Sequence, residues 1–98
     1  MTTERARAYA RVMKTLRDLG PAKLLLHEQA RVRSAADALL FCASLPNDRS
    51  ARAAFADVEA LRELLVASGR WTPERAVALE DDVWACGPGL GSALAAAA

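Results

Sequence analysis

The chemistry that this 98-residue sequence could perform centres first on its one histidine. His27 precedes Glu28, and a histidine beside a carboxylate can move protons or bind a metal ion. A di-metal site in a helical bundle needs Glu-x-x-His pairs on several helices, but Arg31 stands three residues after Glu28. No motif indicates the nucleophile and orienting acid of a catalytic triad. We therefore expect a solvent-exposed histidine, and no catalytic residue, metal site or cofactor.

The two cysteines, Cys42 and Cys86, could form a disulfide or bind zinc. They are too few for a disulfide scaffold and lack the close Cys/His spacing of a zinc site. If four helices alternate up and down, the second and fourth end at the same pole, which places both thiols there. These two helices lie on a diagonal of a square bundle, too far apart for a disulfide. The sequence predicts two inert, reduced and largely buried thiols.

Basic residues on the first predicted helix could contact phosphate groups. Arg7, Arg11 and Lys14 share one helix face at a spacing of i, i+4, i+7. Residues 1–33 carry a net charge of +5 and residues 34–98 a net charge of −4. Acidic residues of the fourth helix are therefore a natural counter-surface, within the chain or in a second copy. This acidic group comprises Glu80, Asp81 and Asp82.

Four helices with short connections must position these residues. Capping and helix-breaking residues predict where each helix begins and ends. The first runs from about Thr3 to Leu19 and ends at Gly20. The second runs from Pro21 to Leu45, before Pro46. The third follows a turn whose candidate N-caps are Asn47, Asp48 and Ser50, and ends near Ser68; the fourth begins at Thr72-Pro73 and ends before Gly87.

The second predicted helix is the longest, at about 36 Å, and the most apolar. Its apolar stripe comprises Leu25, Val32, Ala36, Leu39 and Ala43. A helix that is apolar on most sides must be covered by its neighbours, so we place it at the centre. The predicted fold is an all-α, antiparallel four-helix bundle with short connections and a long central second helix.

Composition excludes several other classes of protein. The chain has 23 alanines and no isoleucine, a composition that argues against a β fold. No apolar run approaches the ~18 residues of a membrane span, and no secretory signal opens the chain. We expect a cytoplasmic protein with one helical domain, residues 1–86, and a flexible low-complexity tail, residues 87–98.

The sequence ends Leu94-Ala95-Ala96-Ala97-Ala98. This ending resembles the apolar Leu-Ala-Ala tag that bacterial ATP-dependent proteases recognise. The resemblance covers five residues and implies nothing about the fold. Because nearly a quarter of the chain is alanine, we attribute the match to composition.

The leading functional hypothesis is a non-enzymatic protein-interaction module, either a homodimer or a small regulatory subunit of a larger bacterial complex. An alanine-rich core contributes little stability per residue, so a second protein surface would help such a chain to fold. The predicted interface residues are Tyr9, Met13, Trp71 and Trp84, with Trp71 also expected as a lid over the core. The alternatives are a nucleic-acid-associated protein that binds phosphates through Arg7, Arg11 and Lys14, and a bundle that binds a small ligand between its helices.

Overall fold

The computed structural model describes residues 3–89, and within them the predicted all-α four-helix bundle is confirmed. Helix α1 spans Thr3–Lys23, α2 spans Leu26–Leu40, α3 spans Arg49–Ala67 and α4 spans Pro73–Ala85. A 3-10 turn, Leu45–Asn47, lies between α2 and α3. Of the predicted tail, residues 87–98, the structure describes only the first three, and Gly87 among them is buried rather than flexible surface; the rest, with its alanine-rich ending, lies outside the described residues.

The helices pack in a ring, each against its neighbours in the chain, and α4 closes the ring against α1. Among the described residues, helix α2 also contacts α4 across the ring, whereas the backbones of α1 and α3 stay apart. Helix α2 therefore packs against all three other helices, as its apolar character predicts. The shared core includes Val12 of α1, Leu39 of α2, Leu61 of α3 and Val83 of α4, each at most 2% exposed.

The predicted end of the first helix at Gly20 is wrong, because α1 continues through Gly20 and Pro21 to Lys23. Proline removes only one backbone N–H from the helix, so a single intrahelical hydrogen bond is lost. The carbonyl of Lys23 accepts hydrogen bonds from Arg70 Nη2 at 3.3 Å and Trp71 Nε1 at 3.0 Å. These tertiary contacts hold the last turn that the local sequence disfavours.

Helix α2 is shorter at both ends than the sequence predicts, with 15 residues. It begins at Leu26, where the carboxylate of Glu28 accepts a hydrogen bond from the backbone N–H of Leu25 at 2.8 Å. It ends at Leu40, and the chain then turns at Phe41 before the 3-10 turn. Leu25 and Ala43 consequently lie outside the helix and are exposed, although the stripe predicted them to face the core.

The predicted starts of α3 and α4 are confirmed. Among the three candidate caps of α3, Asp48 accepts a hydrogen bond from the backbone N–H of Ala51 at 2.9 Å. Thr72 caps α4 in the same way, with Pro73 at the first helical position. Gly69 lies between the two helices with a φ of 74°, a left-handed conformation that glycine adopts without a steric penalty.

Candidate interaction surfaces

Arg5 of α1 links three helices at the end of the bundle where α2 and α4 terminate. Its guanidinium donates hydrogen bonds to four backbone carbonyls, those of Leu39, Leu40, Cys42 and Cys86, at 2.7–3.0 Å. The final carbonyls of a helix have no intrahelical partner, and a cation near them is favourable. Arg5 thus caps two helices from a third. This role could not be predicted, because nothing in the local sequence marks Arg5 apart from the other basic residues of α1.

At the opposite pole, an ion pair joins the buried Glu28 to the partly exposed Arg70. The two side chains make two hydrogen bonds, at 2.7 and 2.9 Å, and Glu28 is 1% exposed. The Arg70 guanidinium holds the pKa of Glu28 at about 2, below its usual 4.5, despite the opposing effect of burial. Arg70 also contacts the end of α1 through Lys23, so this pair joins α1, α2 and the connection between α3 and α4. Glu28 lies four and eleven residues before Val32 and Leu39, a periodic signal that could have revealed its burial.

The structure places His27 and the cysteines as the sequence predicts. His27 is exposed beside the buried Glu28. Cys42 and Cys86 are free and buried at one pole, where Arg5 bonds to the carbonyl of each. Burial raises the pKa of both thiols, that of Cys86 to about 11. Neither thiol is therefore an activated nucleophile at neutral pH.

The predicted phosphate stripe is partly neutralised by acidic neighbours. Arg11 pairs with Asp82 of α4, with 3.0 Å between Nε and Oδ1, and Lys14 pairs with Asp18. Arg7 is exposed and has no ion pair among residues 3–89. The predicted attraction between the first and fourth helices thus occurs within the chain at Asp82.

The outer side of α1 carries a row of exposed residues, which we call the basic face. It consists of Arg7, Ala10, Lys14 and Arg17, spaced i, i+3, i+7, i+10 on one side of the helix. Within residues 3–89, the acidic contacts of this row run to Asp18, which lies near Lys14 and Arg17. Three cations therefore face solvent with one carboxylate beside them.

A second surface runs along the outer side of α3 and α4. The rings of Phe55 and Trp84 meet with their centroids 4.8 Å apart, and both side chains are half-buried. Seven residues after Phe55, Arg62 pairs with Glu80, with 2.6 Å between Nε and Oε2. Phe55 and Arg62 form a row on α3, and Glu80 and Trp84 form a row on α4. The two rows run antiparallel, and the contacts Phe55–Trp84 and Arg62–Glu80 fix the register between the two helices.

Continuing both rows by one turn adds Val66 on α3 and Val77 on α4. Val66 is half-buried and Val77 is 41% exposed. Exposed carboxylates border these rows on both helices. We call this apolar strip the α3–α4 seam. It consists of Phe55, Val66, Val77 and Trp84, and it encloses the Arg62–Glu80 pair. The carboxylates that border it are Glu59, Glu63 and Asp81.

The residues predicted to form an interface differ in where they lie. Trp71 is 5% exposed and donates its indole N–H to Lys23, so it is a lid over the chain's own core. Tyr9 and Met13 are half-buried against that core, and the Tyr9 hydroxyl donates to Asp37 at 2.6 Å, which raises the pKa of Tyr9. Trp84 belongs to the α3–α4 seam. Their role in binding a partner stays a prediction.

Two cavities bear on the small-ligand alternative. An apolar gap among α2, α3 and α4 has a volume of about 10 Å³, far below the several hundred Å³ of a typical ligand pocket. A groove of about 810 Å³ lies where α1 begins and α4 ends, lined by Glu4, Arg5, Arg7, Arg11, Ala43, Ala85, Gly87 and Pro88. In this groove Arg5 is bonded to backbone carbonyls and Arg11 to Asp82, so two of its three cations already stabilise the fold, and Arg7 stays exposed.

This chain matches no protein-family model, no curated protein and no solved structure. Among residues 3–89, no group of three or more His, Cys, Asp or Glu side chains is arranged to hold a metal ion. No helix in this part of the chain is both long and apolar enough to cross a membrane.

Proposed function

We propose that this protein is a non-enzymatic interaction module that works by self-association. The observation that carries the proposal is the α3–α4 seam. Large apolar side chains there stay partly in solvent, although each of the four helices also contributes to a closed core. An apolar strip bordered by charged residues is typical of a surface that binds another protein. Two free, buried thiols fit a reducing compartment such as the cytoplasm.

Nucleic-acid binding is the second candidate, and the exposed Arg7 favours it. Against it, Arg11, the middle residue of the predicted phosphate stripe, is paired with Asp82 of α4, which a phosphate would have to displace. The carboxylates that border the α3–α4 seam would also repel the phosphates of a nucleic acid. Protein association accounts for both the basic and the acidic surfaces, so we favour it.

The test is the solution mass at several concentrations, measured by sedimentation with and without duplex DNA and single-stranded RNA. We expect the mass of the parent protein to rise with concentration. Val77→Glu places a charge in the seam and should weaken this association. Its matched control is Ala78→Glu, an exposed position one residue further along α4 that points away from the seam row.

A parent protein that stays monomeric at every concentration contradicts the proposal. Equal loss of association in Val77→Glu and Ala78→Glu contradicts the role of the seam. Nucleic-acid binding at physiological salt, with a mass otherwise independent of concentration, supports the second candidate instead.

A further inference from the structure

We infer, resting on the proposed self-association, that the basic face of α1 in one copy binds the α3–α4 seam of a second copy. It follows from the charge, the length and the relative position of these surfaces.

The charges of the two surfaces are complementary. The basic face presents three cations, Arg7, Lys14 and Arg17, and the seam is bordered by the three exposed carboxylates defined above. Exposed pairs of this kind contribute little stability each, but several together select the partner and its orientation. Like charges would instead oppose a contact between two basic faces or between two seams.

The lengths of the two surfaces agree. At 1.5 Å per residue, the basic face extends about 15 Å from Arg7 to Arg17. The seam extends about 16 Å along α3 from Phe55 to Val66. One surface can therefore cover the other over its whole length.

The basic face also suits the apolar part of the seam. Ala10 lies in the middle of the face and has a small side chain, which lets another helix approach. The methylene stems of Lys14 and Arg17 can cover apolar surface while their charges reach carboxylates at its border. Val77 and Trp84 would lose exposed apolar area in this contact.

The two surfaces do not meet within one copy. The backbones of α1 and α3 lie at opposite corners of the bundle, and no ion pair among residues 3–89 joins the cations of the basic face to the carboxylates of the seam. The contact between α1 and α4 uses Arg11 and Asp82, which belong to neither surface. The attraction between the basic face and the seam is therefore available only to a second molecule.

A charge-exchange experiment tests the inference. The basic-face variant carries Arg7→Glu, Lys14→Glu and Arg17→Glu. The seam variant carries Glu59→Arg, Glu63→Arg and Asp81→Arg. We expect each variant alone to associate about tenfold more weakly than the parent or worse, and an equimolar mixture to regain association.

A matched control reverses the same number of charges elsewhere. Arg33, Arg49 and Arg75 are exposed and belong to neither surface, and changing all three to Glu should leave association within about twofold of the parent. Circular dichroism of each variant establishes that it is folded, since all these positions are exposed. Raising the salt concentration should weaken association of the parent and of the mixture alike.

The outcomes separate this inference from the proposed function. A parent that never associates overturns both. A parent that associates, with both triple variants unaffected or with no recovery in the mixture, overturns only the inference. If the basic-face variant loses RNA binding while its mass behaves like that of the parent, the basic face is a nucleic-acid surface and the inference is wrong.

Discussion

Replacing Glu28 by Gln should remove an ion pair while keeping the size and shape of the side chain. The carboxylate of Glu28 is 1% exposed and accepts two hydrogen bonds from Arg70 and one from the backbone of Leu25. Glutamine can fill the same space, but it carries no charge to offset that of Arg70. The substitution therefore tests the electrostatic contribution of this pair rather than its packing.

The expected magnitude follows from the pKa of Glu28, which is about 2 in the folded chain against a usual 4.5. At about 1.4 kcal/mol per unit, this difference corresponds to at most about 3.5 kcal/mol of folding free energy. Because the folded pKa is lowered, the contribution is fully present above pH 4.5 and is lost as the pH falls towards 2. Glu28→Gln should therefore be less stable than the parent at neutral pH and nearly as stable near pH 2.

Urea unfolding followed by circular dichroism measures this difference, since urea adds no ionic strength. The parent and Glu28→Gln should be compared at several pH values between neutrality and 2. The control is Glu63→Gln, whose side chain is 74% exposed and should change the stability by less than about 0.5 kcal/mol at any pH. Equal stabilities of parent and Glu28→Gln at neutral pH, or a difference that does not shrink on acidification, would refute the reasoning.

Three further substitutions or reactions probe the other pole and the core. Arg5→Lys cannot reach four carbonyls with one ammonium and should cost about 2 kcal/mol in thermal unfolding, whereas Arg7→Lys on the exposed side should cost nothing measurable. Leu39→Asp buries an unpaired carboxylate and should abolish the cooperative thermal unfolding of the helices. Phe41→Asp, at a position 78% exposed, is the control and should leave this unfolding transition intact. A normal transition for Leu39→Asp would contradict the central place of α2. The Cys86 thiol, with a pKa of about 11, should resist iodoacetamide near pH 8 until urea unfolds the chain, and rapid alkylation of the folded protein would show that it is accessible.

The fold could be predicted from the sequence where the signals are local. Thr72-Pro73 marks the start of α4 because a capping hydroxyl and a proline at the first helical position act within one turn. Asp48 marks the start of α3 for the same reason. The end of α1 could not be predicted in this way. Gly20 and Pro21 favour a break, and the hydrogen bonds that overcome it come from Arg70 and Trp71, almost fifty residues away.

The candidate surfaces could be predicted only in part. The basic residues of α1 are visible in the sequence, and their helical spacing shows which of them share a face. The α3–α4 seam depends on the register between two helices, which the contacts Phe55–Trp84 and Arg62–Glu80 set. Arg5 looks like any other basic residue of α1 until the ends of α2 and α4 are placed around it.

The hydrogen bonds of Arg5 have a consequence for the order in which the bundle assembles. They join Arg5 of α1 to Cys86, which lies 81 positions further along the chain, whereas helices that follow each other in the chain are joined by short connections. The entropy lost in closing a loop grows with its length, so contacts between neighbouring helices, α1 with α2 included, form at a lower cost than those of α1 with α4. We therefore expect the hairpins of neighbouring helices to form first and the contact of α1 with α4 to close the ring last. On transient opening we expect the reverse order, with the contact between α1 and α4 the first to separate.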